Sequence, residues 1–410
     1  MSSKSIRGGL LSAGLLISAS QVNGQQQTTP SAPLRNGEIG FVISSIRPAL
    51  LAEGVSQKEA CPDGLVLGPR EAFAKFPPDR RAALQAAFEA AAPARQAAIA
   101  AGTAPKQVPA RIGGNDVTSG LVNTDGSSVC LNPGPLGPDP SFRTVSKVLR
   151  ADGIDLDGRA ATAGRQTGDT CSHDDLIGPD GAKNIDNQFA RVLSCMQGYG
   201  PGGILADTYE GTMREGLWTL VVKLSKVDNL MNDPDVDVLF ASSQDPLQLD
   251  ATGAALRNHT YEAHSDAKYR TVTKGRIVNG VLTTDPVDMT YVVRLASSPG
   301  PNDMTQLAAR FKLTIAPDGS ASGIFGGYED VERIAHVNFA VGGNLGIATQ
   351  GAQLANYTCN GIYYSMKRLA DGKRDPKTGK CSAISSQWKI KAAPAFVIAP
   401  PLSGAAKPSA

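Results

Sequence analysis

Six cysteines downstream of an export-like N-terminus constrain this chain more than any other feature. Lys4 and Arg7 make a short positive segment, Leu10 to Ala19 an apolar one, and small residues follow at Ser18-Ala19-Ser20 or Val22-Asn23-Gly24. That three-part order is the pattern of a secretory signal peptide, expected over residues 1–24. The apolar run is shorter than the roughly 20 residues a membrane span needs. No later stretch reaches that length without charges, so no transmembrane segment is expected in the mature chain. A periplasmic or secreted location follows, and an oxidising compartment turns Cys61, Cys130, Cys171, Cys195, Cys359 and Cys381 into expected disulfides. Pairing of sequence neighbours is the expectation: Cys61–Cys130, Cys171–Cys195 and Cys359–Cys381. The last two bridges would then close loops of similar length around Gly-rich or turn-rich segments. The sequence has no CxxC pair, which argues against zinc, and no CxxCH, which excludes a covalent haem.

Of the 410 residues 41% are apolar, enough for a hydrophobic core, while 44 Gly and 27 Pro predict many turns. The net charge is +2, so the chain has no basic excess with which to neutralise phosphates, and nucleic acid is not an expected partner.

Residues 25–36, beginning QQQTTPSAP, read as a flexible linker. Residues 37–145 form a helical and irregular N-terminal region. It opens with a short alternating strand, Ile39-Gly40-Phe41-Val42-Ile43, and a helical turn after Pro48. Its clearest helix starts at Pro77-Pro78-Asp79, carries Leu84 and Phe88 on one face, and is interrupted at Pro93. Residues 146–393 read as a β-rich domain. Strands are expected at Leu217–Leu224, Val236–Phe240, Met289–Leu295, Phe311–Ile315, Gly361–Lys367 and Gln387–Lys391. Asn279-Gly280 and Pro317-Asp318-Gly319 supply hairpin turns. Helices are expected at Asn184–Met196 and Glu329–Phe339. Residues 394–410 form a Pro- and Ala-rich tail. The fold class is therefore mainly β (α+β): an antiparallel β-sandwich or jelly-roll-like domain preceded by a small helical N-terminal region.

Chemistry-bearing residues concentrate between 152 and 187. Asp155 and Asp157 are spaced like calcium ligands, and Asp174, Asp175 and Asp180 follow among turn-forming glycines. Gly153 and Gly164 occupy the first and twelfth ligand positions, so this is no EF-hand, and any calcium site is irregular. Asp186 is placed to cap the following helix. His259 and His264 are five apart, which fails the zincin spacing. The sequence contains no GxSxG elbow and no phosphate loop in a strand–helix context. Asp174, Glu210 and Glu329 are nominal carboxylates for a hydrolase acting on a cell-surface polysaccharide or other polymer, and His173 beside Asp174 is a nominal acid–base pair. With no catalytic motif complete, the leading expectation is a non-catalytic binding or structural module with an extracellular or periplasmic ligand. Calcium is the one cofactor the residues suggest. Convergence of the Asp cluster, His173 and Glu210 in one cleft would favour the enzyme.

Overall fold

A computed structural model describes residues 34–104, 116–145, 150–158, 171–200, 203–295, 300–340 and 345–400. The signal-like segment, most of the linker and the last ten residues lie outside the described residues.

Eleven strands form one sheet, antiparallel except where β11 meets β4. They are β1 (Ile39–Pro48), β2 (Thr219–Ser225), β3 (Asn232–Ser243), β4 (Thr260–Glu262), β5 (Arg270–Val278) and β6 (Val281–Thr284). After these come β7 (Val287–Val293), β8 (Asn302–Ile315), β9 (Ala321–Asp330), β10 (Gly372–Arg374) and β11 (Cys381–Ile398). The main path runs β1-β2-β3-β5-β6-β8-β9-β11, and β11 then pairs back with β1. Eight antiparallel strands thus close on themselves as a barrel, which removes the exposed edges an open sheet must protect. The pairings describe one continuous sheet, so two stacked sheets of the sandwich or jelly-roll kind are not what they give.

Alternation along each strand decides what fills the barrel. Trp388, Phe325 and Phe311 are successive ladder partners on β11, β9 and β8, and all three point inward. Phe311 stacks on Phe325 at 4.8 Å between ring centroids, and Phe240 and Tyr291 complete the cluster. This interior is a packed core. A second hydrophobic cluster, outside the barrel, gathers Phe73, Leu121, Val129, Leu193, Ile362 and Met366 from the helical and irregular segments. The two exposed helices Pro78–Ala90 and Ala92–Ala100 break at the Pro93 region as expected, and Leu84 and Phe88 pack on this cluster.

Both hairpin turns form. Asn279 and Gly280 have φ of 51° and 75°, the left-handed pair that a two-residue hairpin between β5 and β6 requires. Gly319, at φ 83°, turns β8 into β9.

Four readings are corrected. The disulfides are Cys61–Cys195, Cys130–Cys359 and Cys171–Cys381, with separations of 134, 229 and 210 residues. Neighbour pairing fails because folding brings sequence-distant segments together: the first two bridges sit in the second hydrophobic cluster, and the third ties the segment at 171 to β11. Gly361–Lys367 is not a strand but part of the helix Cys359–Leu369. Its Ile-Tyr-Tyr run favours β, yet Ile362, Met366 and Leu369 recur at helical spacing and are buried together. Residues 394–398, expected in the loose tail, continue β11, pairing with β1 and β4. Asp186 is not the helix cap; Asn187 is, with its side chain accepting from the Ala190 N–H.

Candidate functional site

The closed sheet sets two rows of outward side chains side by side. Lys312, Ile324, Lys389 and Arg47 are consecutive ladder partners on β8, β9, β11 and β1. In the next row Thr314, Ser322, Lys391 and Ser45 stand in the same order. These eight side chains help floor a groove of about 900 Å³ on the outside of the barrel. Its walls come from two chain excursions, Asp152-Gly153 with Gly178-Pro179-Asp180, and Glu210 and Arg214 of the helix Thr208–Arg214 with Ala254-Ala255. Gly323 belongs to the floor for a steric reason: a Cβ there would lie 2.0 Å from the Lys312 carbonyl oxygen. That helix is anchored by Tyr209, whose ring is buried 4.8 Å from Trp388, so the wall is tied to the core.

Some of the groove's charges are neutralised and others are not. Arg47 donates to Glu210 at 2.8 Å and lies 3.3 Å from Asp207. The Ser45 hydroxyl donates to Glu210 at 2.6 Å. Burial alone would raise the Glu210 carboxyl, but the bonds from Arg47 and Ser45 outweigh it and hold the group below its ordinary value. Glu210 is therefore an ionised, fully engaged carboxylate with no proton to donate. Lys389 is paired with Asp152, and Arg214 donates to the Gly253 carbonyl at 2.6 Å. Lys312 and Lys391 are exposed and have no ion pair among the described residues.

A separate acidic cluster unites Asp155 and Asp157 with Asp186, their carboxylate oxygens within 4.8 Å of one another. Asp186 accepts from the backbone N–H of Leu156 at 2.6 Å and of Asp157 at 3.3 Å. Its carboxyl is pushed up to about 8, first by burial and then by the neighbouring Asp157, Asp371 and Asp175. Asp371 is likewise raised by burial, to about 7. These oxygens could hold a hard cation. Asp174, Asp175 and Asp180 are not among the clustered three. The Asp174 carbonyl accepts from Gln188 and Arg191, and the Asp180 carboxylate caps the turn at Ala182.

The remaining candidates lie apart. His173 is buried, its Nε2 3.2 Å from the Ala370 carbonyl oxygen; burial holds its pKa down, so it is a neutral structural imidazole. Glu329 is inside the barrel, bonded by Ser386 and by Gln306, the latter at 3.1 Å, and is 1% exposed. Asp174, Glu210 and Glu329 thus occupy a loop, the groove and the core. The floor lysines had no place among the expected site residues. Their signal was legible only as outward positions in Trp388-Lys389-Ile390-Lys391 and Phe311-Lys312-Leu313, and the register that unites them is not a local property. Neither protein-family models, nor curated proteins, nor solved structures match this chain.

Proposed function

We propose that the chain is an exported, non-catalytic binding protein and that its ligand lies in the outer groove of the barrel. The observation that carries this reading is the groove floor, where two ladder rows present Lys312 and Lys391, which have no ion pairs among the described residues, in a space of ligand size. Export rests on the N-terminal pattern, and the three disulfides fit an oxidising compartment. Glycoside hydrolases typically use two carboxylates flanking the scissile bond, and the nominal carboxylates here are dispersed, with Glu210 already committed to Arg47. Calcium is the cation proposed for Asp155, Asp157 and Asp186, where it would offset the clustered negative charge.

The test is a thermal-shift screen of the mature chain against small molecules and oligosaccharides, repeated with Ser322→Trp. Ser322 is an exposed floor residue, so the indole fills the groove without entering the core. Ligands should raise the melting temperature of the native chain and lose that effect in the variant. Turnover of a polymer that Glu210→Gln abolishes would overturn the reading in favour of the hydrolase.

A further inference from the structure

The groove mixes two kinds of recognition group, and the mixture narrows the ligand. Lys312 and Lys391 are free of ion pairs among the described residues, and Lys389 lies between them on the ladder. Lys312 and Lys389 are two strand spacings apart, about 10 Å, while Lys389 and Lys391 are about 7 Å apart along one strand. A single small anion would not engage both Lys312 and Lys391; an extended ligand carrying more than one negative group would. Beside these cations stand the exposed carboxylate of Asp180 and the hydroxyls of Thr314 and Ser322, while Asp152 and Glu210 are already paired with Lys389 and Arg47. Carboxylates would repel a chain that is anionic at every position, such as polyphosphate, but they accept well from hydroxyl groups. Among the described residues no aromatic ring lines the groove, so they provide no stacking platform of the kind a neutral sugar would use.

We propose that the groove binds an acidic oligosaccharide, its carboxylate or sulfate groups on Lys312 and Lys391 and its hydroxyls on Asp180, Thr314 and Ser322. This rests on the groove being the ligand site. The lysines supply charge-assisted hydrogen bonds, which are the strong ones in a solvent-open groove. The Asp180 carboxylate, which has no ion pair among the described residues, disfavours ligands that are anionic without being polyols. Affinity should fall as salt rises, because the cations are exposed and screened.

Calorimetry on the mature, disulfide-intact chain tests this with four probes: an oligouronate, its methyl-esterified counterpart, a sulfated oligosaccharide of similar length, and tripolyphosphate. The oligouronate or the sulfated sugar should bind, their ratio identifying the acidic group, and the ester and tripolyphosphate should bind far more weakly. Lys312→Gln and Lys391→Gln should each weaken acidic-sugar binding about tenfold, the loss of one hydrogen bond to a charged group. Both lysines are exposed, and unchanged melting curves verify that the variants fold. Equal binding of acid and ester, both lost in Ser322→Trp, overturns the acidic class and leaves the groove intact. Tripolyphosphate binding more tightly than either acidic sugar overturns the sugar. Acidic-sugar binding indifferent to both lysine variants and to Ser322→Trp overturns the groove itself. Failure of both acidic sugars to bind overturns the proposal.

Discussion

Lys389 and Arg47 stand directly opposite each other across the β11–β1 ladder, two like charges in paired positions. Such a pair is unfavourable unless something outside it intervenes. Here Asp152 neutralises Lys389, and Glu210 neutralises Arg47. Both acids come from segments that wall the groove, so the same contacts that relieve the sheet also dock the walls.

Removing one acid should expose the repulsion. Asp152→Asn is expected to destabilise the fold by less than about 1 kcal/mol, because Lys389 is half exposed and water screens the pair. The loss should be larger at low salt and vanish at high salt. Urea unfolding at the two ionic strengths measures it, and a loss independent of salt would assign Asp152 a packing role instead.

Glu329 should make stability depend on pH. Burial raises its carboxyl from the ordinary 4.5 to about 7, with the bonds from Ser386 and Gln306 offsetting only part of that. Below 4.5 both folded and unfolded states hold the proton, and the group contributes nothing to pH dependence. Between 4.5 and about 7 the unfolded chain ionises while the fold keeps its proton, so stability falls as pH rises and levels off above about 7. The full effect is on the order of 3 kcal/mol. Glu329→Gln cannot ionise, and the difference between its unfolding free energy and that of the native chain should change across this window. Parallel pH curves for the two proteins would refute the assignment.

Local signals reached the local structure and stopped there. Asn279-Gly280 announces its hairpin because two adjacent residues tolerate positive φ, a property of those residues alone. Gly361–Lys367 misleads because β-propensity is a weak preference, and burial of Ile362 and Met366 against the second cluster overrides it. Closure of the barrel is invisible for a different reason. β1 and β11 are separated by most of the chain, and nothing within either strand names the other. The same limit governs the sites. Asp155 and Asp157 are legible from their spacing, whereas Asp186 joins them through a fold that carries it across 29 residues.

The disulfides join what the sequence separates, and their loss should be costly. Peptide mapping under non-reducing conditions should recover Cys61–Cys195, Cys130–Cys359 and Cys171–Cys381. The double substitution Cys130→Ser with Cys359→Ser should lower stability by about 2–4 kcal/mol, mainly by freeing the unfolded chain. That bridge lies in the second hydrophobic cluster, so two buried hydroxyls add to the loss. Recovery of the neighbour-paired peptides would contradict this arrangement.

Calcium is tested by mass action. Asp155, Asp157 and Asp186 bring three carboxylates within 4.8 Å, and a cation that binds only the folded chain stabilises it in proportion to the logarithm of its concentration. The melting temperature should rise with calcium and fall back in chelator. Asp155→Asn with Asp157→Asn should remove that increment while leaving the metal-free fold nearly unchanged. Asp155 is half-buried and Asp157 exposed, so neither change opens the core. Asp174→Asn should keep the increment, since its carboxylate is not among the clustered three. Magnesium should do less, because it demands stricter octahedral geometry and gives up water reluctantly. Identical melting curves in calcium and chelator would return Asp155 and Asp186 to what their bonds already provide, the capping of backbone N–H groups at Gly158, Leu156 and Asp157.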